Sequence, residues 1–333
     1  METIQTTTRI RGWRLTGRIA SAGILLAGVT AGIVVAGPNA ANAATYESSP
    51  VGFASMNGGT TGGTGGTTVT VTTASALDTY LQASGKYIIK ISGMISTTGM
   101  HKVAANKTIQ GVGSSSGITG GGLNIASVSN VIVRNLIFKN ADDDSINVQY
   151  STNVWIDHND LSNGYDGLVD IKRASDYVTV SWNHTHDHDK DMLLGHSDDN
   201  SSEDLGHLRV TYVHNYFDGT VQRNPRVRFG NPVHVLNNYF VGNSGYGVAT
   251  TCNAGVLIER NYFENVPNSV VTQTGDSPSG YDKLINNILV NSGTPETNVG
   301  ANVAAIPYSY TPEANSTVKA TVTAGAGVGK LGL

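Results

Sequence analysis

The sequence is poor in cysteine and in charged residues. Its 333 residues include one cysteine, Cys252, so no disulfide can form within the chain. Charged residues amount to only 14%, and the formal net charge is −4, which excludes the broad basic surface typical of nucleic-acid-binding proteins. The stability of the fold must therefore come from buried apolar side chains and from backbone hydrogen bonds.

Long apolar runs are absent except near the amino terminus. There the run IASAGILLAGVTAGIVVAG follows four arginines and precedes the tripeptide ANA at residues 41–43, a pattern that signal peptidases cleave. We predict a signal peptide at residues 1–43, one domain at residues 44–333, and a secreted, extracellular protein. Cleavage would lower the net charge from −4 to −7, because four arginines and one glutamate leave. The alternative is a retained membrane anchor, and amino-terminal sequencing distinguishes the two.

Glycine, asparagine, threonine, serine and valine take the place of helix-forming residues, and they occur in a repeated phrase. Segments such as NVWIDHNDL, YVTVSWNHT and VHVLNNYF each carry alternating aliphatic residues followed by an asparagine. The spacings between these asparagines are 24, 24, 32, 23, 23 and 26 residues. A period in the low twenties is typical of a solenoid. The marker residues are Asn135, Asn159, Asn183, Asn215, Asn238, Asn261 and Asn287.

The phrases predict an all-β solenoid in which the chain forms a parallel β-helix. They lack the leucine frame and the helical segments of leucine-rich repeats, whereas short strands between Gly, Asn, Asp and Ser turns suit coils stacked about 4.8 Å apart. Buried asparagines at equivalent corners would form hydrogen bonds along the stack. We expect a short capping helix at Ser75–Ala83, with Ser75 and Asp78 as its capping box, and a carboxyl-terminal segment that packs back along the coils.

Charged residues fall at similar distances after the marker asparagines. In a solenoid, equal distances place side chains above one another, so the spacing predicts one charged sector across four coils. The acidic members lie seven to eleven residues after their markers, and the basic members lie seven to thirteen residues after theirs. They are Asp144, Asp166, Asp170, Lys190, Arg223 and Arg228.

Three stacked carboxylates repel one another unless a cation or solvent lies between them. Ca²⁺ accepts six to eight oxygen ligands in a loose geometry that short aspartates can supply. Within NADDDSINV, Asp142 and Asp144 share a strand parity, so we expect them to face one way and Asp143 the other. A solvated acidic turn is the alternative. The neighbouring basic residues favour an anionic partner, for which an acidic polysaccharide fits well.

At this point the chain resembles the extracellular pectate lyases of polysaccharide lyase family one. The phrases NVWIDHNDLS, DGLVDIKRASDYVTVSWN, HDKDMLLGHSD and VTYVHNYFDGTVQRNPRVRFG carry the resemblance, which covers nearly all of residues 44–333. Its most specific element is the Arg-x-Pro-x-x-Arg pattern of Arg223, Pro225 and Arg228. The resemblance implies a single-stranded, right-handed parallel β-helix and a calcium-dependent enzyme that cleaves α-1,4-linked polygalacturonate.

Residue roles follow from the resemblance alone. It implies calcium ligands at Asp144, Asp166 and Asp170, with Asp142 a weaker match. It implies that Lys190 and Arg228 hold substrate carboxylates and that Arg223 is the catalytic base. We also expect a monomer that binds no nucleic acid and has no stable association with membranes.

The implied reaction is a β-elimination that yields 4,5-unsaturated oligogalacturonides. Ca²⁺ makes the C5 proton more acidic, a base removes this proton, and the C4 oxygen leaves. Arginine is an unusual base, but Ca²⁺, Lys190 and Arg228 nearby would all disfavour the charged form of Arg223. The resemblance therefore predicts an alkaline activity optimum.

Three other functions remain open at this stage. A pectin lyase shares the fold but lacks the carboxylate cluster and would keep its activity in EDTA. A polygalacturonase is suggested by the run Asp142–Asp144 and by Gly195–Ser197, but its Arg-Ile-Lys element is missing, and hydrolysis gives no unsaturated product. A noncatalytic glycan-binding solenoid would give no product at all.

Several polar residues receive no catalytic role. His184, His186 and His188 share a strand parity, but together they span about 13 Å in an extended strand, too far for one ion, so we predict a polar face. Arg226 has no expected partner in the stack. The segment GHSDDNSSEDLG, residues 195–206, makes the longest interval and is predicted to leave the coil as a loop.

Overall fold

The computed structural model describes residues 46–299 and 302–333, so the predicted signal peptide lies outside the described residues. The helices are a 3-10 helix at Gly52–Ser55, α1 (Ala74–Gln82), α2 (Ser201–Asp204) and α3 (Asn315–Gly325). The strands are β1 (Thr67–Val71), β2 (Tyr87–Ile91), β3 (Met94–Lys102), β4 (Lys107–Gly111), β5 (Gly117–Ala126), β6 (Ser129–Arg134), β7 (Ile137–Lys139), β8 (Ile146–Gln149), β9 (Thr152–Asp157), β10 (Asp160–Ser162), β11 (Val169–Lys172), β12 (Asp176–Ser181), β13 (His184–His186), β14 (Met192–Leu194), β15 (Val210–Val213), β16 (Tyr216–Asp218), β17 (Arg226–Arg228), β18 (Val233–Leu236), β19 (Tyr239–Val241), β20 (Val248–Thr251), β21 (Gly255–Glu259), β22 (Tyr262–Glu264), β23 (Val270–Val271), β24 (Tyr281–Ile285) and β25 (Ile288–Val290).

These strands form two sheets with parallel pairing between successive coils. The first sheet has ten strands in the order β1-β2-β4-β6-β9-β12-β15-β18-β21-β24. The second runs β23-β20-β17-β14-β11-β8-β5-β7-β10-β13-β16-β19-β22-β25, and β3 also pairs with β5. From β6 to β23, each coil therefore contributes one strand to the first sheet and two short strands to the second. This arrangement, a solenoid of about ten turns, confirms the predicted parallel β-helix.

The interior is filled by aliphatic side chains and by one stack of phenylalanines. Valine, isoleucine and leucine from both sheets form a continuous buried core. Phe217, Phe240 and Phe263 occupy equivalent positions on β16, β19 and β22, with ring centroids 4.7 and 4.4 Å apart. Because equal positions repeat in each coil, identical side chains stack on one another, as offset aromatic pairs prefer.

The asparagine ladder is present from Asn159 to Asn287. Each side-chain amide donates to the amide oxygen of the next asparagine at 2.9–3.0 Å. Asn135 is the exception, because the pairing of Arg134 with Asp157 puts Leu136 opposite Asn159. The Asn135 side chain instead donates to the carbonyls of Gly111 and Gly113, both at 2.8 Å. In this coil the position equivalent to Asn159 is therefore Leu136, one residue after the asparagine that the sequence pattern indicates.

The predicted capping helix is present as α1, but its N-cap residue differs from the predicted one. Helix α1 closes one end of the core with Leu77 and Leu81, which are buried. Its N-cap is Thr73, whose hydroxyl accepts from the amide of Ala76 at 3.3 Å, so the expected cap at Ser75 is wrong. Asp78 contacts His101 at 2.6 Å.

The carboxyl-terminal residues return along the coils as expected. Helix α3 packs on the outside of β19 and β22, where it buries Val318 and Val322 against tyrosines. Farther on, the amide of Gly329 donates to the Asn135 side chain at 2.8 Å. In the described part of the chain, no helix combines the length and apolarity needed to cross a membrane.

Candidate active site

The predicted charged residues lie on β8, β11, β14 and β17 and in the turns just before these strands. Strand pairing places Asp170 beside Leu193 on the next coil and Leu193 beside Arg226 on the one after. The turns carry Asp144, Asp166, Lys190 and Arg223. Parallel stacking therefore gathers residues that are far apart in sequence on one face of the second sheet.

An acidic cluster forms where three turns meet. Carboxylate oxygens of Asp143, Asp144 and Asp166 all lie within 4.8 Å of one another. Asp142 does not join them, because its carboxylate accepts from the amide of Gly99 at 3.0 and 2.8 Å. The parity argument is therefore wrong here. Asp142 and Asp143 lie in a bend rather than a strand, so their side chains do not alternate between two faces.

Asp170 completes the acidic cluster from β11. Burial and the nearby carboxylate of Asp144 raise the pKa of Asp170 to about 7. One of its oxygens, Oδ1, is buried without a hydrogen-bond partner. The other lies 3.3 Å from the ammonium of Lys172, which also contacts Asp144 at 3.1 Å. Asp170 Oδ1 is therefore a buried oxygen without a donor, although Lys172 lies against the other oxygen of the same carboxylate.

Lys172 was missed by the sequence analysis, although a signal was available. It follows Asp170 by two residues on the same strand, so the two side chains lie on the same face of the sheet. Distances from the marker asparagines identify equivalent residues on different coils, but they do not identify neighbours within one strand. The Asp-Ile-Lys sequence of β11 would have indicated the pair.

Gly167 brings the backbone into the cluster. Pairing of Ile146 with Val169 puts Gly167 opposite Asp144, and its amide donates to Asp144 Oδ1 at 2.9 Å. An added Cβ would lie 2.2 Å from Asp170 Oδ1 and 3.0 Å from Asp144 Oδ1. Only glycine fits between these two carboxylates without displacing one of them.

Lys190 and Arg223 approach the cluster through Asp166. The ammonium of Lys190 lies 2.9 Å from Asp166 Oδ1, and Arg223 Nη1 lies 3.9 Å from the same oxygen. The hydrogen bond from Lys190 lowers the pKa of Asp166 below its usual value, more than burial raises it. Arg223 has a positive φ of 63°, a strained conformation for arginine, and its Nε is buried without a partner.

Arg228 lies apart from the aspartates and is held by the long loop. Its Nε lies 2.5 Å from Asp198 Oδ1, and Nη1 donates to the Gly195 carbonyl at 3.2 Å. Burial raises the pKa of Asp198, but hydrogen bonds from Ser277 and Arg228 outweigh it and lower this pKa to about 2. Residues 195–206 do leave the coil, as predicted, and they hold Arg228 in place through Asp198.

Arg226 has partners that the sequence analysis did not expect. Its Nη2 donates to the hydroxyl of Ser277 at 2.6 Å and lies 4.0 Å from Asp198 Oδ1. Burial and the neighbouring Arg228 lower the pKa of Arg226. It therefore belongs to the same contact group as Arg228, beside the acidic cluster rather than in it.

Two further residues border the site. His188 Nε2 lies 2.6 Å from the carbonyl oxygen of Asp166 and so supports the turn that carries this aspartate. Tyr165, the residue before Asp166, is 81% exposed. Its ring is free to contact a bound polymer.

Known proteins resemble this chain in both sequence and fold. The family model described as pectate lyase matches residues 22–331. The chain is 43% identical to pectate lyase plyB of Emericella nidulans over 245 residues, or 71% of this chain and 74% of that protein. It is 37% identical to a pectate trisaccharide-lyase of Bacillus licheniformis over 300 residues, covering 84% and 86%. A Bacillus pectate lyase crystallised with trigalacturonate superimposes with a TM-score of 0.77 at 31% identity, covering 85% of this chain and 99% of that one.

Proposed function

The chain belongs to the pectate lyase family and is a polysaccharide lyase, and on that premise we propose that the acidic cluster, Lys190 and Arg223 carry out its β-elimination of pectate. The observation that carries this proposal is the contact of Asp166 with Lys190 at 2.9 Å and with Arg223 at 3.9 Å. It joins an acidic, metal-binding type of site to Lys190, which can bind a uronate carboxylate, and to Arg223, the proposed base.

The acidic cluster fits the calcium ion that this family uses. Asp144, Asp166 and Asp170 would hold it, and Asp143 offers a further oxygen within 4.8 Å of Asp144 and Asp166. The unpartnered Oδ1 of Asp170 and the pKa of about 7 for its carboxyl group, raised by burial and by Asp144, fit a residue that a bound cation would stabilise. When bound, calcium withdraws charge from the uronate carboxylate and makes the C5 proton more acidic.

The side chains around the cluster divide the remaining tasks. Lys190 and Arg228 bind carboxylates of the polymer, which fixes the sugar ring. Arg223, in its neutral form, accepts the proton from C5, and the electrons of the broken C–H bond form the C4=C5 double bond. The C4–O bond breaks with its electron pair on the leaving oxygen, which takes a proton from water. Asp166 positions Lys190 and Arg223 through its shared oxygen. The product keeps an unsaturated, ultraviolet-absorbing end.

Removal of calcium tests the metal part of this proposal. Treatment with EDTA should abolish formation of the unsaturated product from polygalacturonate, and added Ca²⁺ should restore it, because the clustered carboxylates need a cation to admit an anionic polymer. The measurement is ultraviolet absorbance of the product over time. Full activity after chelation would contradict the calcium site and would favour catalysis of the pectin lyase type.

Replacement of Arg223 tests the assignment of the base. Arg223→Lys keeps the charge but moves the nitrogen, so we expect kcat to fall by about 10²- to 10⁴-fold, the contribution typical of a positioned base. Binding of polygalacturonate and of Ca²⁺, measured by calorimetry, should change little. Arg260→Lys, far along the stack, is the matched control and should retain full turnover. A kcat within a few-fold of wild type in Arg223→Lys would remove Arg223 from the mechanism.

We further propose that the protein is secreted as a monomer after cleavage behind residue 43. The arginine-rich start, the apolar run and the ANA tripeptide support this proposal. Protein recovered from culture medium should begin at Ala44 and should elute as a monomer in size-exclusion chromatography. An intact amino terminus retained in the membrane fraction would contradict it.

A further inference from the structure

A second cluster of metal-ligating side chains lies on the other strand column of the second sheet. Strands β10, β13 and β16 pair in register, which places His184 beside Asp160 and beside Tyr216. It likewise places His186 beside Ser162 and Asp218. None of these residues belongs to the acidic cluster.

Three of these side chains converge at distances that suit a transition metal. His184 Nδ1 lies 3.2 Å from Asp160 Oδ2, and His186 Nε2 lies 3.1 Å from Asp160 Oδ1. One ligand atom from each of the three residues lies within 4.8 Å of the other two. Metal–ligand bonds of about 2.0–2.1 Å in a tetrahedron separate the ligand atoms by about 3.3 Å. Small side-chain shifts would therefore let one ion bind all three.

The second nitrogen of each imidazole also contacts a carboxylate. His184 Nε2 lies 3.2 Å from Asp218 Oδ2, and His186 Nδ1 lies 2.8 Å from Asp187 Oδ2. Histidine ligands of metal ions usually donate their other ring N–H to a carboxylate in this way, which fixes the ring and its tautomer. Both rings thus carry the outer partner that a metal ligand needs.

We propose that Asp160, His184 and His186 form a site for one zinc-class divalent ion, separate from the calcium site. Two imidazoles and one carboxylate select Zn²⁺ and similar transition metals over Ca²⁺, which prefers oxygen ligands. The three side chains are each 25% exposed, so an ion can enter from solvent and keep a water as its fourth ligand.

Of the three histidines that share a strand parity, His184 and His186 belong to this site and His188 does not. The three imidazoles do not meet, since His188 contacts the carbonyl of Asp166. His184 and His186 nevertheless stack with ring centroids 4.6 Å apart, and Asp160 from the preceding coil supplies the third ligand. The spacing along one strand excluded three histidines on one ion but did not consider a ligand from the neighbouring strand.

Protons compete with the metal at this site. A metal ion binds the neutral imidazole, so binding displaces any proton that either ring directs toward Asp160. The titratable and charged groups that face the two rings are Asp160 on β10, Asp187 after β13, and Asp218 and Tyr216 on β16. One divalent ion would supply positive charge to these three carboxylates.

Bound metal would join successive coils. Its ligands come from β10 and β13, and Asp218 adds β16 through His184. An ion that binds only the folded state stabilises it by mass action. We therefore expect Zn²⁺ to raise the unfolding temperature of the protein.

Calorimetry with saturating Ca²⁺ tests the site, because Ca²⁺ keeps Zn²⁺ out of the acidic cluster. At mildly alkaline pH the wild-type protein should bind one equivalent of Zn²⁺, and Co²⁺ should give the visible absorption of tetrahedral coordination. His184→Gln and His186→Gln should each weaken Zn²⁺ binding by about 100-fold or more, and Asp218→Asn by about 10- to 100-fold.

Matched controls separate this site from general zinc binding. His207→Ala removes a histidine outside the cluster, near Asp176, and should bind Zn²⁺ as the wild type does. Circular dichroism establishes that each variant is folded. Absence of saturable Zn²⁺ binding by the wild type, or unchanged binding in folded His186→Gln, would overturn the proposal. Turnover with Ca²⁺ alone should remain close to wild type in His184→Gln, so failure of this site is distinct from failure of the lyase mechanism.

Discussion

Gly167 shows how a single residue without a side chain contributes to the active site. Its amide donates a hydrogen bond to Asp144 Oδ1, and the missing Cβ leaves room for the Asp170 carboxylate. Any other residue would fill the space between the two oxygens. The candidate active site therefore depends on a backbone position as much as on its charged side chains.

The variant Gly167→Ala should lose calcium affinity and activity together. Because the new Cβ would lie 2.2 Å from Asp170 Oδ1, this carboxylate must move away, and we expect the Ca²⁺ concentration for half-maximal activity to rise about 10-fold or more. Product absorbance at varied Ca²⁺ measures this shift.

Gly164→Ala in the same turn is the control, since its Cβ would approach no heavy atom more closely than 3.1 Å. It should change the calcium requirement far less. Equal calcium dependence in both variants and in the wild type would exclude a role for Gly167 in metal binding.

The sequence predicted most charged residues of the site because coil equivalence converts spacing into position. Asp144, Asp166 and Lys190 fall on one face for this reason. Asp143 was misplaced because bends do not follow strand alternation, and Gly167 was missed because a glycine leaves no chemical signal. The contact of Asp198 with Arg228 depends on the path of a long loop, which no periodicity specifies.

At the scale of elements, α3 is attached to the solenoid through one carboxylate just before its start. Glu313 Oε1 accepts from the hydroxyls of Thr317 and Thr321, both at 2.5 Å, and Oε2 lies 3.2 Å from His214 Nε2. Burial raises the pKa of Glu313, but these hydrogen bonds outweigh it and lower the pKa to about 2. The ionised form therefore binds the helix to the coils.

This attachment should weaken in acid. A carboxyl group with a lowered pKa stabilises the folded state fully above its unfolded value of 4.5 and loses that contribution as the pH falls toward 2. Because the group is partly solvated, we expect only about 1 kcal/mol. Urea unfolding of wild type and Glu313→Gln between these pH values measures it. The difference between the two proteins should shrink as the pH falls, and a constant difference would contradict the assignment.

Helices were less predictable than strands in this chain. The prediction of α1 rested on a capping box of Ser75 and Asp78, but the N-cap is Thr73, because the hydroxyl of this residue, two positions earlier, reaches the amide of Ala76. Helix α2 has only four residues and no apolar period. It is held by side-chain contacts of Asn200 with Glu203 and Asp204, which only the folded loop reveals.

At the scale of the whole molecule, the asparagine ladder joins six consecutive coils from Asn159 to Asn287. In its interior Asn238 accepts from the amide and the side chain of Asn215 at 2.8 and 3.0 Å, and it donates to Asn261 and to the Tyr212 carbonyl. All of these groups are buried. The ladder therefore satisfies backbone groups at a corner that water does not reach.

Substitution inside the ladder should cost more than substitution at its end. Asn238→Ala leaves several buried polar groups without partners, so we expect a loss of about 3 kcal/mol in the free energy of unfolding. Asn287→Ala, at the partly buried terminal position, should lose about half as much. Equilibrium denaturation by urea compares them, and equal losses would show that the ladder does not act through burial.

Periodicity made the global architecture predictable because each coil repeats the same pattern of inward and outward residues. The period could not specify the order of the two strand columns in the second sheet, where β5 pairs with both β7 and β8. That branching follows from the length of β5, ten residues against two to four in the later strands of that sheet.

The long interval between Asn183 and Asn215 has an evolutionary consequence. The extra residues leave the stack after β14, yet Thr179 still pairs with Thr211 on the far side of the loop. A whole loop can thus be inserted at this turn without altering the pairing of the strands on either side. Related chains can therefore differ in the residues around Asp198, which contacts Arg228, while Lys190 and Arg223 keep their places on adjacent coils.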